Sequence, residues 1–161
     1  MNKHLHIIAF DVPFPPDYGG VIDIFYKLKA LQEEGIKITL HCFEYGRGKK
    51  NELDNYCEKI FYYKRKASKH LLLDSLPYIV ASRKSEELVS NLTKDNSPIL
   101  FEGLHCCFHL SDKRLKTRKK IVRMHNIEHT YYSNLAKVEK KFSEKNISRG
   151  NQRNLKSLNL R

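Results

Sequence analysis

The 161-residue chain contains no run of eighteen apolar residues, so it offers no helix of the length and character that crosses a bilayer. Its opening residues, MNKHLHIIAF, have neither a long apolar stretch nor a small-residue cleavage site, which makes a cytoplasmic protein the expectation. The cysteines Cys42, Cys57, Cys106 and Cys107 show no C-x-x-C spacing, and the adjacent pair is poorly placed for a disulfide staple, so reduced thiols are expected. G-x-G-x-x-G is absent, and so is the Lys-Ser/Thr of a P-loop. No RNP, helix-turn-helix or zinc-finger pattern accompanies the basic residues, and nucleic acid is therefore not an expected partner. Internal repeats are missing too.

An apolar content of 40% is enough for one good core, and the length suits a single main domain. The formal net charge of +12 is unevenly placed. Residues 1–110 are almost balanced, with fifteen Lys and Arg against fourteen Asp and Glu, whereas residues 111–161 hold fifteen against four. Such asymmetry points either to an anionic partner at one end or to a solvated charged face. Two stretches, KRKASKHLLL (64–73) and DKRLKTRKK (112–120), mix basic and apolar residues. Each basic residue on a patch against anionic lipid would contribute about 1 kcal/mol.

The pass along the chain finds strands alternating with helices. HLHIIAF (4–10) is short and isoleucine-rich, and FPPDYGG follows it as a loop. Val21, Ile24, Phe25, Leu28 and Leu31 recur at helical spacing, with Gly35 placed to end a helix over 21–34. IKITLHCFEY is a second strand, and a connection of this kind implies a parallel, right-handed pair. CEKIFYYKR (57–65), PILFEG (98–103) and KKIVRMH (119–125) supply three more strands, with an amphipathic helix over KSEELVSNLTKD and a helix or loop over CCFHLSDKRL. An α/β fold results: an open, doubly wound, mostly parallel sheet with helices on both faces. The last residues, 146–161, are polar and basic and are expected to be disordered.

In open parallel sheets, ligands sit beyond the carboxyl ends of the strands. The segments there are DVPFPPDYGG, EYGRGKK, EGLHCC and HNIEHTYY. Gly19 and Gly20, before the first helix, let the backbone approach a phosphate held on free N–H groups, or simply make a tight turn. Asp17 and Asp23 beside them argue modestly against a bare pyrophosphate. HNIEH spells the inverted zinc-protease signature H-x-x-E-H. Placement defeats that reading, because His125 ends a strand while His129 lies in the following helix. His125 instead projects toward the cleft, where its near-neutral pKa suits proton transfer or contact with a sugar or phosphate. Asn126 then turns the chain and Glu128 lies near the helix start, while His105 follows Glu102 at the fourth strand end. His4, His6, His41 and His70 read as ordinary core-edge or surface residues.

Taken in order, PFPPDYGGVIDIFYKLKALQEEGIKITLHCFEYGR, FEGLH and VRMHNIEHTYYSNLA resemble the N-terminal half of glycosyltransferases with two Rossmann-like domains, the GT-B fold. The likeness is to the retaining, family-four-like enzymes of bacterial surface polysaccharide and lipopolysaccharide synthesis. It implies a Rossmann-like acceptor-side domain over residues 1–145, with Gly19 and Gly20 at the donor diphosphate and His125 bordering the transferred sugar. Asp17, Glu102, His105, Arg123, Asn126 and Glu128 are the accompanying candidates for substrate or diphosphate contacts. It further implies a nucleotide-sugar co-substrate, a carbohydrate or lipid-linked acceptor, no metal and no other cofactor. Docking on an anionic membrane surface would use the basic and aromatic surface. The family's donor-binding domain, marked by paired glutamates after a Gly-rich loop, has no counterpart here, so the chain alone is expected to be inactive. A non-catalytic basic module holding membrane or nucleic acid is the alternative.

Overall fold

The computed structural model describes residues 3–66, 68 and 76–124, all within one compact unit spanning Met1–His125. Five strands, β1 (His4–Ala9), β2 (Lys37–Glu44), β3 (Lys59–Lys64), β4 (Ile99–Glu102) and β5 (Lys120–Arg123), form a single sheet. Every pairing is parallel, and the spatial order is β3-β2-β1-β4-β5. The order reverses at β1, so its carboxyl end is the topological switch point where an open α/β sheet leaves a crevice.

The central strand is flush with both neighbours: Ile7 lies opposite Leu40 of β2 and Leu100 of β4. Alternation along the strands divides the core in two. Ile7, Ala9, Leu40 and Cys42 pack against Ile24, Phe25 and Leu28 of α1 (Gly19–Glu33). Ile8, Phe43, Ile99 and Phe101 pack on the opposite face against Leu88 and Leu92 of α3 (Glu86–Leu92). Both faces are thus covered, which is why the strands read as nearly continuous apolar runs. Ser85 caps α3, its hydroxyl accepting from the Leu88 N–H at 3.2 Å.

The strands and the first helix fall where hydrophobic periodicity places them, and α1 begins two residues before the expected start. A short helix α2 (Tyr78–Ala81) follows Pro77, and 3-10 turns cover Asn51–Asn55, Leu104–His109 and Lys113–Leu115. One expectation fails clearly. His41 is completely buried and His6 nearly so, because β1 and β2 are both interior strands and alternation turns these side chains under α3 rather than outward. The helix expected after residue 125, the basic tail, His70 and residues 67 and 69–73 of KRKASKHLLL lie outside the described residues.

Candidate functional site at the strand carboxyl ends

β1 runs into Phe10, and the loop from Asp11 to Tyr18 leads to the N-terminus of α1. Tyr18 occupies the N-cap position without donating or accepting a side-chain cap bond, and the first turn holds no acidic residue. Gly20 lies against the end of β1. A Cβ there would stand 2.6 Å from Cζ of Phe10, so a side chain would have to push the ring aside. At Gly19 nothing lies within 4 Å of the equivalent position, which leaves its backbone accessible. The same loop is braced from elsewhere. Tyr18 donates to Asp11 at 2.9 Å, Arg83 donates to the Phe10 carbonyl at 3.0 Å, and Arg47 donates to the Pro15 carbonyl.

Glu102 is the last residue of β4 and is wholly buried. Lys27 on α1 reaches it at 2.6 Å, and Lys27 also donates to Asp23 at 3.1 Å. Arg123, ending β5, donates to Asp23 at 2.8 Å and holds its Nε 4.0 Å from the second Glu102 oxygen. Two carboxylates and two cations from α1, β4 and β5 therefore form one alternating cluster. Such a cluster sets each charge against an opposite one, which offsets the cost of burying the Glu102 side chain. It also leaves the half-exposed Arg123 at the rim, where an anionic group can reach it.

Gly103 turns the chain sharply out of β4 with φ 82°, a left-handed value that a Cβ would disfavour, and its N–H donates to the Arg123 carbonyl at 2.8 Å. His105, two residues on, tilts over Phe10 with ring centroids 5.6 Å apart. Glu102, His105, Arg123 and Gly20 thus gather round the ends of β1, β4 and β5. Asp17 does not join them. It pairs with Arg47 at 3.0 Å on the far side of the first loop, an exposed carboxylate that ties this loop to the one after β2. His125, Asn126 and Glu128 lie outside the described residues.

Sequence reading missed Lys27, whose chemistry depends on a carboxylate 75 positions away. Its only local signal was the Asp23–Lys27 spacing of one helical turn. The cysteines behave as small buried groups. Burial pushes the Cys57 thiol up to about 12 and Cys107 up to about 11, and all four are free. The basic stretch 112–120 is partly consumed internally. Arg114 pairs with Asp112 and Glu86, Arg118 is buried against the carbonyls of Leu92, Asp95 and Ser97, and Lys120 donates to Leu110.

No protein-family model matches the chain, and no solved structure matches it. It is similar to a Klebsiella pneumoniae protein described as an uncharacterized 44.6 kDa protein in cps region, with 27% identity over 146 residues. The alignment covers 86% of this chain and 37% of that relative, so the chain spans little more than a third of the protein it matches.

Proposed function

We propose that this chain is the acceptor-side domain of a nucleotide-sugar-dependent glycosyltransferase of the GT-B kind, acting in the synthesis of a bacterial surface polysaccharide. The observation that carries the reading is the convergence of the Gly19–Gly20 helix start with the Glu102–Lys27–Asp23–Arg123 cluster at the switch point of the sheet. A relative from a cps region, a capsule gene cluster, supports the polysaccharide context. The unmatched length of that relative leaves room for the donor-binding half.

In this reading the N–H groups of the first α1 turn and Arg123 face the donor diphosphate, whose charge they offset without a metal. Gly19 lets the backbone close on the phosphates, and Gly20 lets helix and strand meet beneath them. His125, which follows β5 after Met124, borders the sugar being transferred, with Asn126 and Glu128 orienting it; His105 lines the acceptor side. The reaction exchanges the sugar's bond to phosphate for a bond to the acceptor hydroxyl, whose proton must leave as attack proceeds. Retention of configuration follows the family likeness. Alone the domain turns over little, because rate depends on donor and acceptor being held together across a cleft. An anionic membrane surface on the cytoplasmic side would present a lipid-linked acceptor.

Internal pairing of Arg114, Arg118 and Lys120 counts against the competing reading of a basic binding module. The deciding experiment expresses the complete reading frame and follows consumption of nucleotide sugars with a lipid-linked acceptor. His125→Ala should lower kcat about 100-fold or more while the circular dichroism spectrum is unchanged. A folded, complete protein that neither binds nor consumes nucleotide sugars would overturn the proposal. So would a variant retaining full kcat overturn the role of His125.

A further inference from the structure

The opposite end of the sheet carries a second cluster that the transfer reaction does not use. His4 and His6 alternate along β1, so both imidazoles project to the α3 face, with ring centroids 5.0 Å apart. Asp95, in the turn between α3 and β4, comes up beneath them. Its Oδ2 lies 2.9 Å from Nε2 of His6 and 3.6 Å from Nδ1 of His4. All three ligand atoms fall within 4.8 Å of one another. We propose that His4 Nδ1, His6 Nε2 and Asp95 Oδ2 form a binding site for one divalent transition-metal ion of the zinc class.

Three features carry the assignment. The first is spacing: with metal–ligand bonds of about 2.0–2.1 Å, tetrahedral neighbours sit about 3.3 Å apart. The observed 2.9 and 3.6 Å straddle that value, and the two imidazole nitrogens, within 4.8 Å of each other, must close on the ion. The second is outer support, which orients metal ligands and tunes their basicity. Nε2 of His4 lies 2.9 Å from the Thr39 hydroxyl, and Nδ1 of His6 lies 2.9 Å from Nε2 of His41. The other Asp95 oxygen, Oδ1, accepts from the Ser97 N–H at 2.7 Å and from Arg118 at 3.3 Å. His4 Nδ1 also lies 2.9 Å from the Ser97 hydroxyl, a contact the ion would replace, while the remaining atom of each ligand is held from outside. The third is an open coordination position, since the cluster lines a cavity of about 300 Å³ together with Lys37, Glu58, Lys59, Phe61, Asn91 and Lys94. The nearby Arg118, Lys94, Lys37 and Lys59 weaken affinity for a cation. Arg118 also donates to three backbone carbonyls, and Lys94 to Asn91, so neither of these two charges is aimed at the ligand atoms alone.

Coordination has a consequence for protons. Without metal, the carboxylate can only accept, so His6 donates from Nε2 and, as a neutral ring, accepts at Nδ1 from His41 Nε2–H. His41 then accepts at Nδ1 from the Tyr63 hydroxyl at 2.8 Å, while that oxygen accepts from Asn91 at 3.0 Å. A metal on His6 Nε2 moves the ring hydrogen to Nδ1. His41 must then carry its own hydrogen on Nδ1, and the Tyr63 hydroxyl hydrogen rotates away. Both rings stay neutral and no net proton is lost. A residue that never touches the ion therefore switches tautomer.

The test titrates zinc chloride, and separately cobalt chloride, into purified chelator-treated protein, following binding by calorimetry and imidazole nitrogens by long-range 1H–15N NMR. One ion per chain is expected, with the tetrahedral cobalt absorption, a shift at His4 Nδ1 and His6 Nε2, and exchange of the protonated nitrogen of His41. His4→Ala should abolish stoichiometric binding, and Thr39→Val should weaken it about 10–100-fold. His125→Ala/His129→Ala should leave it unchanged, which separates this site from the HNIEH motif. The wild-type NMR readout stands even if a variant fails to fold. Absence of stoichiometric binding, binding that leaves the His4 and His6 nitrogens unshifted, or binding lost only in the His125→Ala/His129→Ala protein would overturn the proposal.

Discussion

The Lys27 ammonium lies 2.6 Å from a Glu102 oxygen on a side chain that solvent does not reach. The pair joins α1 to the end of β4 across 75 residues of sequence. Breaking a buried pair by removing one partner strands the other charge, at a cost of about 3–5 kcal/mol. Arg123 at 4.0 Å offsets part of this, so Lys27→Met should destabilise by about 3 kcal/mol. Removing both charges, as Lys27→Met/Glu102→Leu, should recover most of the loss. Urea midpoints with unchanged slopes check the comparison, and a loss under about 1 kcal/mol for Lys27→Met would show that the carboxylate does not depend on Lys27.

The two neighbouring glycines should behave differently. Gly20→Ala must displace the Phe10 ring, with an overpacking cost of about 1–3 kcal/mol. Phe10→Leu, giving room at the ring position, should relieve part of it. Gly19→Ala meets nothing within 4 Å and should leave stability within about 0.5 kcal/mol of wild type. In the complete enzyme the same Gly19→Ala should nevertheless raise KM for the nucleotide sugar, because its methyl group faces the space assigned to the diphosphate. Thermal melts and steady-state kinetics on the same two variants separate packing from function. An unchanged KM for Gly19→Ala would remove this glycine from the donor site.

Much of this architecture was legible from periodicity. The alternating strands and helices, the parallel sheet and the Gly35 helix end at φ 72° all follow from local pattern. The candidate cleft followed from topology, since Glu102 and Arg123 end adjacent strands and are paired in register. What stayed hidden depends on long-range partners. HLH in β1 carries the period-two signature of two imidazoles on one face, yet their burial and chemistry come from Asp95, His41 and Tyr63 on other segments. Arg118 sits in a run that reads as basic surface. Its guanidinium is buried because the carbonyls of Leu92, Asp95 and Ser97, left open where α3 gives way to β4, need a donor.

His109 should make stability fall in mild acid. It is buried, and its Nε2 accepts from the Ser85 N–H at 3.0 Å, a bond that protonation would destroy. Burial pushes its pKa below the ordinary 6.5, and this outweighs the upward pull of Asp112. The unfolded chain therefore binds the proton first, so the stabilisation is complete above about pH 6.5 and is lost as pH falls toward the folded pKa. His6 and His41, also pushed down by burial, act with the same sign. In chelator-treated protein the unfolding free energy should drop between pH 7 and 5, and His109→Gln should reduce that slope while lowering stability at pH 7. A His109→Gln protein with the wild-type slope would assign the acid response to other groups.

The thiols offer a probe of the fold that needs no ligand. Cys42 and Cys106 are fully buried, with pKa values pushed far up by burial, and Cys57 is raised to about 12 for the same reason. Thiolate is the reactive form, so these three should be silent toward Ellman's reagent at neutral pH until the protein unfolds. Cys107 is only half-buried, and its thiol, raised to about 11, donates weakly to the Gly103 carbonyl at 3.6 Å. It should react slowly, and first. Because Gly103 makes the turn beside Glu102 and His105, a ligand that settles this turn should slow Cys107 further while leaving the other three unreactive. Rate measurements with and without nucleotide sugar on the complete enzyme test this coupling, and equal rates in both conditions would mean that the Gly103 turn does not respond to the donor.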